Sequence, residues 1–572
     1  MKLTLLNRPQ QLDKLSEHAQ WDIVVIGGGI TGAGILKLAS QLGLKALLVE
    51  QQDFAWGSSS RSSKMVHGGL RYIAQGQVKL TQESILARQQ LLAQAPNLVT
   101  EQSFVMGHYK KQFPWPWLFN SLLSVYDFLA GKAFAEHHST TAPSLKKHHR
   151  LGKAELPFLT PHIKNHDNLG GSQFFDAMTD DARLVLRLIQ EAQQLGALAI
   201  NYCQAESLIY DQQHKVVGVN VQLEESQQSL KVNSKVVINA TGAWAEQLLS
   251  VKDNQTSQNK STSQLKHKIS IRPLRGSHII VPNWRLPVAS VVTILHAQDQ
   301  RPVQVFPWQN VTVIGTTDVE HQQSLLKEPK ISAGEFDYLM AAVTQQFPSI
   351  KLTAADVIST FAGVRPVVAT GGLLSPSQEK RDHSLWQQAG LVTVAGGKIT
   401  TFNLIAQQVL TAVAGELNLT TPLKNYRCFA KDAKLSTSLK TKYGLAPYHY
   451  QHFQGCYGDL ANDFLQQAEG YQLKPISYSS YLWAELVWAV RFEQVQHLDD
   501  LLLRRTRLGN VLPDGAIMLM PQIKTLCQAQ LKWSDDQWFY EQQRYHKIWQ
   551  NYYSLPKVNR ELGQLNEAEC GV

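Results

Sequence analysis

The sequence is poor in the features that mark secreted, metal-bound or membrane-spanning chains. Its 572 residues contain five cysteines, Cys203, Cys428, Cys456, Cys527 and Cys570, scattered without a C-x-x-C pair. That spacing suggests neither a zinc site nor a disulfide framework, so no metal centre is expected, and it fits a reducing cytosol. No apolar run reaches the length of a membrane span, and the opening MKLTLLNRPQQLDKLSEH lacks the apolar stretch and small-residue cleavage site of a signal peptide. With 44% hydrophobic and only 18% charged residues, the composition is that of a globular protein, which excludes a disordered one. Acidic residues are outnumbered by basic ones, 46 to 55, a formal charge of +9. The excess suits an anionic small molecule, anionic lipid or nucleic acid alike. The length exceeds what one core accommodates, so two or three domains are expected.

What is present is concentrated in WDIVVIGGGITGAGILKLASQLGLKALLVE, Trp21 to Glu50. Asp22 to Ile26 reads as a buried strand, and Gly27, Gly29 and Gly32 form G-x-G-x-x-G. Apolar residues from Ile35 to Leu42 then recur at helical spacing, and Ala46 to Val49 makes a second strand ending at Glu50. Gly27 permits the tight turn, Gly29 lets backbone approach a pyrophosphate, and Gly32 lets the helix lie close to the strand. The helix N-terminus, with Gly28 and Thr31 beside these glycines, offers N–H groups to phosphates. Glu50 is placed to accept hydrogen bonds from ribose hydroxyls.

A Ser-rich loop follows, DFAWGSSSRSSK, and then MVHGGLRY. It leaves the carboxyl edge of the sheet, where nucleotides and their substrates bind. Hydroxyls from Ser58 to Ser63 could donate to a phosphate or a flavin ring, or the loop could be a solvated linker. Gln82 to Ala95 reads as a surface helix. The stretch from Lys110 to Leu129 is dense in aromatic residues and flanked by Lys110, Lys111 and Lys132. It reads either as an interfacial helix or as a buried helix of a second domain. Asp180 and Asp181 ahead of a helical pattern that stops at Gly196 are explained by capping. Val216 to Leu223 and Lys231 to Ile238 read as strands, the latter running into Ala-Thr-Gly242. Residues from Asp253 to Lys266 have the composition of a flexible loop. From Arg272 to Asp318, β-branched residues and turn signals indicate a mostly antiparallel sheet. Gly396 and Gly397 precede Lys398 and a helix beginning near Thr400, a further N–H-rich helix end. Arg365 and Arg381 could each grip a phosphate bidentately, although isolated arginines are more often surface ion-pair partners. Beyond Pro422 the periodicity is helical, and Arg504, Arg505 and Arg507 suit a solvated or ion-paired helix face better than a nucleic-acid contact.

GGGITGAGI, SSSRSSKMVHGGLRY, RGSHII, VIGTTD, FAGVRP, AGGKITT and DDLLLRRTR together resemble the respiratory FAD-dependent glycerol-3-phosphate dehydrogenases, from about Trp21 to about Leu512. The resemblance implies an α/β fold: a Rossmann-like FAD domain of the two-dinucleotide type, an antiparallel substrate domain and a C-terminal helical domain. The expected boundaries are 20–105, 166–250 and 355–415 for the first, 106–165 and 268–354 for the second, and 416–572 for the third. Noncovalent FAD would be held by Gly27, Gly28, Gly29, Thr31, Gly32, Glu50, Ser59, Ser60, Ser63, Lys64, His67, Gly242, Gly397, Lys398 and Thr400. Arg71, Tyr72, Arg365 and Arg381 would bind substrate, with Lys398 and Arg365 beside the reaction and His278 or His67 as the base. Two departures stand out: Phe402-Asn403 replaces the usual Tyr-Arg, and an apolar stretch over 367–378 replaces acidic residues. The implied activity is oxidation of glycerol 3-phosphate to dihydroxyacetone phosphate by hydride transfer to FAD, with quinone as acceptor. Peripheral attachment to the cytoplasmic face of the inner membrane goes with it. The expected partners are that substrate, the quinone and the membrane surface, a homodimer is allowed, and no nucleic acid is expected. Rival readings are a flavin oxidase, a hydroxy-acid or amine dehydrogenase, and a dinucleotide-binding sensor without turnover.

Overall fold

The computed structural model describes residues 5–74, 76–136, 146–250, 269–369, 382–420, 423, 426–430 and 444–556. The strand Trp21–Ile26 lies between Ala46–Val49 and Ser229–Asn239, all parallel. Leu198–Ile200 and Leu391–Gly396 extend the parallel set on either side, and His383–Gln388 closes one edge antiparallel. Parallel strands of this kind are buried on both faces, which is why they read as unbroken apolar runs. Ile23, Val25, Leu48 and Ile238 face the helices Ile30–Gln41, Asp181–Gln194 and Phe402–Ala412, whereas Val24, Ile26, Val49 and Val237 face the hairpin containing Val216–Leu223. Each such side chain contributes about 1.5–3 kcal/mol through burial.

A second sheet has ten strands among the described residues. Its strand Ile271–Pro282 pairs antiparallel with Val311–Gly315 and with Ser359–Val368, and Val99–Tyr109 pairs antiparallel with Asn168–Thr179. One parallel pairing, Val291–Leu295 on Val99–Tyr109, interrupts the antiparallel pattern. The alternation again divides the faces. Ile279, Val281, Val305 and Ile314 pack on the helix Ala333–Gln346, while Ile280, Phe306, Trp308 and Phe361 pack on the C-terminal helices.

Three placements refine the sequence reading. The strands Asn168–Thr179 and Ser359–Val368, and most of Val99–Tyr109, lie in the second sheet rather than with the parallel strands, because backbone pairing and not chain order sets sheet membership. The expected surface helix spans Val78–Gln94 and buries one face, including Arg88. The basic run near residue 505 takes the ion-paired of its two expected forms, but wholly buried rather than on a solvated face. Arg504 and Arg505 pair with Asp53, Arg504 also with Asp499 and Asp500, and Arg507 with Asp180 and Asp181. Asp180 still caps its helix through the Arg183 N–H at 3.2 Å. The polar stretch 253–266, residues 370–378 of the altered stretch and Arg381 lie outside the described residues.

Candidate functional site

The two sheets and the 113–122 segment enclose one long cavity of about 1060 Å³. This is the top of the range for ligand pockets, roughly 300–1,000 Å³, and leaves room for a dinucleotide together with a small substrate. Its far end is the glycine turn. Gly27 has φ +113°, and a Cβ there would stand 2.7 Å from the Ala240 carbonyl oxygen. Gly29 is the N-cap of Ile30–Gln41 and brings no side-chain cap, so the turn presents bare backbone to the cavity. Thr31 and Glu50 line the same end. The Glu50 carboxylate accepts from the N–H groups of Gly28 at 2.6 Å and Gln52 at 2.8 Å, tying the glycine turn to the loop that follows. Ser59 lines the wall and accepts from the Ile30 N–H at 2.9 Å.

Midway, Gly242, Gly396, Gly397 and Lys398 meet the wall, each glycine with positive φ. A Cβ at Gly396 would lie 2.5 Å from the Asp382 carbonyl oxygen, so only glycine lets the strand turn here toward the cavity. Lys398 Nζ donates to Ser84 Oγ at 2.9 Å and sits 4.1 Å from the centroid of the Tyr72 ring. His67, Arg71 and Tyr72 line the same side, with the His67 and Tyr72 rings 6.2 Å apart. Beneath this arm Asp176 accepts from the Gly68 N–H at 3.0 Å, from Tyr126 OH at 3.0 Å and from Arg88, so the arm rests on a buried polar knot.

The opposite wall joins Ser63 of the Ser-rich loop to Arg365 on the second sheet and to Arg301, Thr316, Thr317 and Asp318 in the connections of that sheet. Arg365 donates to Asp318 Oδ1 at 3.0 Å, and Arg301 to the Asp318 carbonyl oxygen at 2.8 Å. Two guanidinium groups thus converge on one turn, beside Arg71 and Lys398 across the cavity. Such a set can hold an anion by charge-assisted bonds, in competition with the carboxylates of Asp318 and Asp299 that already accept from Arg365 and Arg301.

Several expected site residues do not face the cavity. Lys64 is buried with its Nζ on Asp181 at 2.9 Å and on the Ser60 carbonyl oxygen at 3.2 Å, and Ser60 is buried with it. The ammonium needs a carboxylate once it is out of water, and Asp181 meets that need. Thr400 is buried beneath the arm, its hydroxyl 3.5 Å from the His67 carbonyl oxygen. Gly32 serves packing, because a Cβ there would come 1.9 Å from the Gly27 carbonyl oxygen. Gly28 contributes its N–H to Glu50. His278 lies behind the wall, 1% exposed, and burial together with Lys64 and Arg365 holds its ring well below the usual histidine range and therefore neutral. The sequence reading missed Arg301 and Asp176. Neither sits in a motif, and only pairing across the sheet brings them to the site.

Residues 22–408 match the family profile described as FAD dependent oxidoreductase, and residues 424–538 match the C-terminal domain of alpha-glycerophosphate oxidase. The chain is 31% identical over 527 residues to the aerobic glycerol-3-phosphate dehydrogenase of Staphylococcus haemolyticus, covering 88% of this chain and 90% of the relative. It is similar to that of Staphylococcus aureus at 29% over 524 residues, covering 88% and 90%. Among solved structures, the glycerol-3-phosphate dehydrogenase from Bacillus halodurans complexed with FAD superposes with a TM-score of 0.72 at 26% identity, covering 96% of this chain and 98% of that one. The L-alpha-glycerophosphate oxidase from Mycoplasma pneumoniae, at 18% identity and a TM-score of 0.51, covers 72% of this chain and 99% of that one and shares the fold.

Proposed function

Because the chain belongs to the family of FAD-dependent oxidoreductases of the glycerol-3-phosphate dehydrogenase and oxidase type, we propose that it oxidises sn-glycerol 3-phosphate to dihydroxyacetone phosphate and delivers the electrons to a membrane quinone. The observation that carries this reading is the continuity of the cavity. It joins a glycine-lined dinucleotide end to a group of cations and then to an apolar mouth.

The residues present fit FAD. Gly27, Gly29 and the first turn of Ile30–Gln41 would hold the pyrophosphate, Glu50 the ribose, and Gly242, Gly397 and Lys398 the ring end. When bound, the flavin supplies the hydride acceptor. The chain supplies the rest. Arg365 and Arg71 bind the phosphate of the substrate, with Arg381 proposed as a third ligand. Tyr72, packed against Lys398, limits how the carbon chain can lie. His67 in the wall and His278 behind Ser63 are the two groups able to receive the hydroxyl proton.

The apolar mouth is lined by Phe113, Pro114, Leu118, Phe119 and Leu122. The same segment turns Trp115, Trp117 and Phe128 outward, 54%, 59% and 70% exposed, with Lys110, Lys111 and Lys132 exposed nearby. No helix among the described residues is long and apolar enough to cross a membrane. An aromatic apron with basic flanks suits a helix lying in the headgroup region of the cytoplasmic face of the inner membrane, where a quinone could enter the mouth directly.

The test is anaerobic mixing of the purified yellow protein with glycerol 3-phosphate. Bleaching of the flavin absorbance, followed by fast reoxidation with a quinone and slow reoxidation by air, is the expected result. Fast reoxidation by air would favour the oxidase reading, toward which the match to the alpha-glycerophosphate oxidase C-terminal domain points. No bleaching would overturn the activity and leave a dinucleotide-binding sensor.

A further inference from the structure

We infer that Ser63 is the group that receives the proton of the substrate hydroxyl, passing its own proton to His278, which therefore serves the reaction without touching substrate. The inference rests on the reading that a secondary alcohol is oxidised in this cavity. Ser63 lines the cavity wall, whereas His278 is buried and does not reach it. The two are joined by a hydrogen bond of 2.9 Å between Ser63 Oγ and His278 Nε2. The imidazole cannot swing into the cavity. One face stacks on Phe361 at 4.4 Å and 11°. On the other side it fills the space left by Gly315, where a Cβ would stand 2.2 Å from His278 Cδ2. Strand pairing sets both neighbours, since His278 lies opposite Phe361 on one side and Gly315 on the other. Its Nδ1 has no hydrogen-bond partner among the described residues, which makes Ser63 the polar contact through which the ring can act.

Oxidising a secondary alcohol to a ketone removes a hydride from carbon and a proton from oxygen. The hydride goes to the bound flavin. The proton moves to Ser63 Oγ as the Ser63 proton moves to His278 Nε2, leaving a ketone, a neutral serine that now donates to the new carbonyl, and an imidazolium. Burial beside Lys64 and Arg365 disfavours that imidazolium, so the ring starts neutral with its proton on Nδ1 and, once the ketone has left, returns the extra proton through Ser63 to water entering the cavity.

The experiment compares wild type with Ser63→Ala, Ser63→Thr, His278→Asn, His67→Asn and the Ser63→Ala/His278→Asn double variant, all as FAD-loaded protein with flavin content measured first. Anaerobic bleaching of the wild type by glycerol 3-phosphate tests the underlying activity separately. If it fails, that reading falls and this one with it. Given bleaching, Ser63→Ala and His278→Asn should each slow it by about 10²-fold or more, the usual range for general base catalysis. The double variant should be no slower than either single one, and Ser63→Thr should restore most of the rate. A readout independent of turnover is the 15N spectrum of histidine-labelled protein without substrate, in which the signals lost in His278→Asn identify that ring. They should shift in Ser63→Ala and return in Ser63→Thr. A wild-type rate in Ser63→Ala, an unmoved His278 signal, or a large loss in His67→Asn with none in His278→Asn would each overturn the relay.

Discussion

At Gly32 the limiting contact is backbone against backbone, a Cβ 1.9 Å from the Gly27 carbonyl oxygen. Neither partner can turn aside, so Gly32→Ala forces the helix off the strand, an overpacking that costs about 1–3 kcal/mol or more. At Gly29 the nearest atom is the tip of a side chain, Ser59 Oγ at 3.1 Å, which can rotate. Gly32→Ala should therefore lower the melting temperature of the protein, whereas Gly29→Ala should leave it folded and weaken FAD retention. Melting curves read by circular dichroism and by released flavin fluorescence separate the two, and equal melting of Gly32→Ala and wild type would refute the close approach. Arg365 poses a different question, because its guanidinium already contacts Asp318. Arg365→Ala removes a phosphate ligand and exposes the substrate to that carboxylate. The KM for glycerol 3-phosphate should rise tenfold to a hundredfold, about 1.5–3 kcal/mol, with FAD content unchanged. Equal turnover of glycerol and glycerol 3-phosphate would contradict a phosphate grip.

The segment from Asp499 to Arg507 works as an element rather than as separate residues. Its arginines cross from the C-terminal helices to Asp53 and to the Asp180–Asp181 pair, and Asp181 in turn accepts from Ser62 Oγ at 2.7 Å in the loop that carries Ser63. Arg507→Ala would strip the buried Asp180 of its ion-pair partner and leave Asp181 with Lys64 alone, a loss of about 3–5 kcal/mol. Chemical denaturation should show it as a lower midpoint. Acid should act on the same contacts. Burial would push the Asp180 carboxyl up, but Arg507 and Lys64 overcome this and bring it down to about 2. A pKa lower in the folded state than in the unfolded one means that the stabilisation is complete above the unfolded value, near 3.9, and is lost as pH falls toward 2. Wild type should therefore lose stability over that interval, on the order of 2 kcal/mol from this group, and Asp180→Asn should flatten that part of the profile. A profile identical in the two proteins would remove Asp180 from the account.

For the molecule as a whole, the cavity and the aromatic apron belong to one surface, since Phe113 both lines the mouth and is 62% exposed. Changing Trp115, Trp117 and Phe128 together to Ser should abolish flotation with anionic vesicles at low salt and spare bleaching by glycerol 3-phosphate. High salt should weaken wild-type flotation, because the Debye length falls to about 3 Å at 1 M. Phe119 is left out of this set. It packs against Phe174 and His108 within the protein, and its loss would disturb the site itself. Flotation undiminished in the triple variant would move the contact to another surface.

Local patterns carry local information, and much of this protein is local. The strand, glycine turn, helix and strand from Trp21 to Glu50 were legible because each residue there answers to steric rules acting over a few positions. The same holds for the Asp180 cap and the glycines before Lys398. Nothing in the order of residues placed His278 behind Ser63 instead of in the wall, turned Lys64 away onto Asp181, brought Arg301 to the cavity wall, or buried the arginines at 504, 505 and 507. Those outcomes depend on which strands pair and on which carboxylate meets a cation once water is excluded. Sequence alone determined the dinucleotide fold and the motifs of the site. The tertiary structure alone decided which of those side chains face the cavity, because facing is set by register and charge pairing between segments hundreds of residues apart.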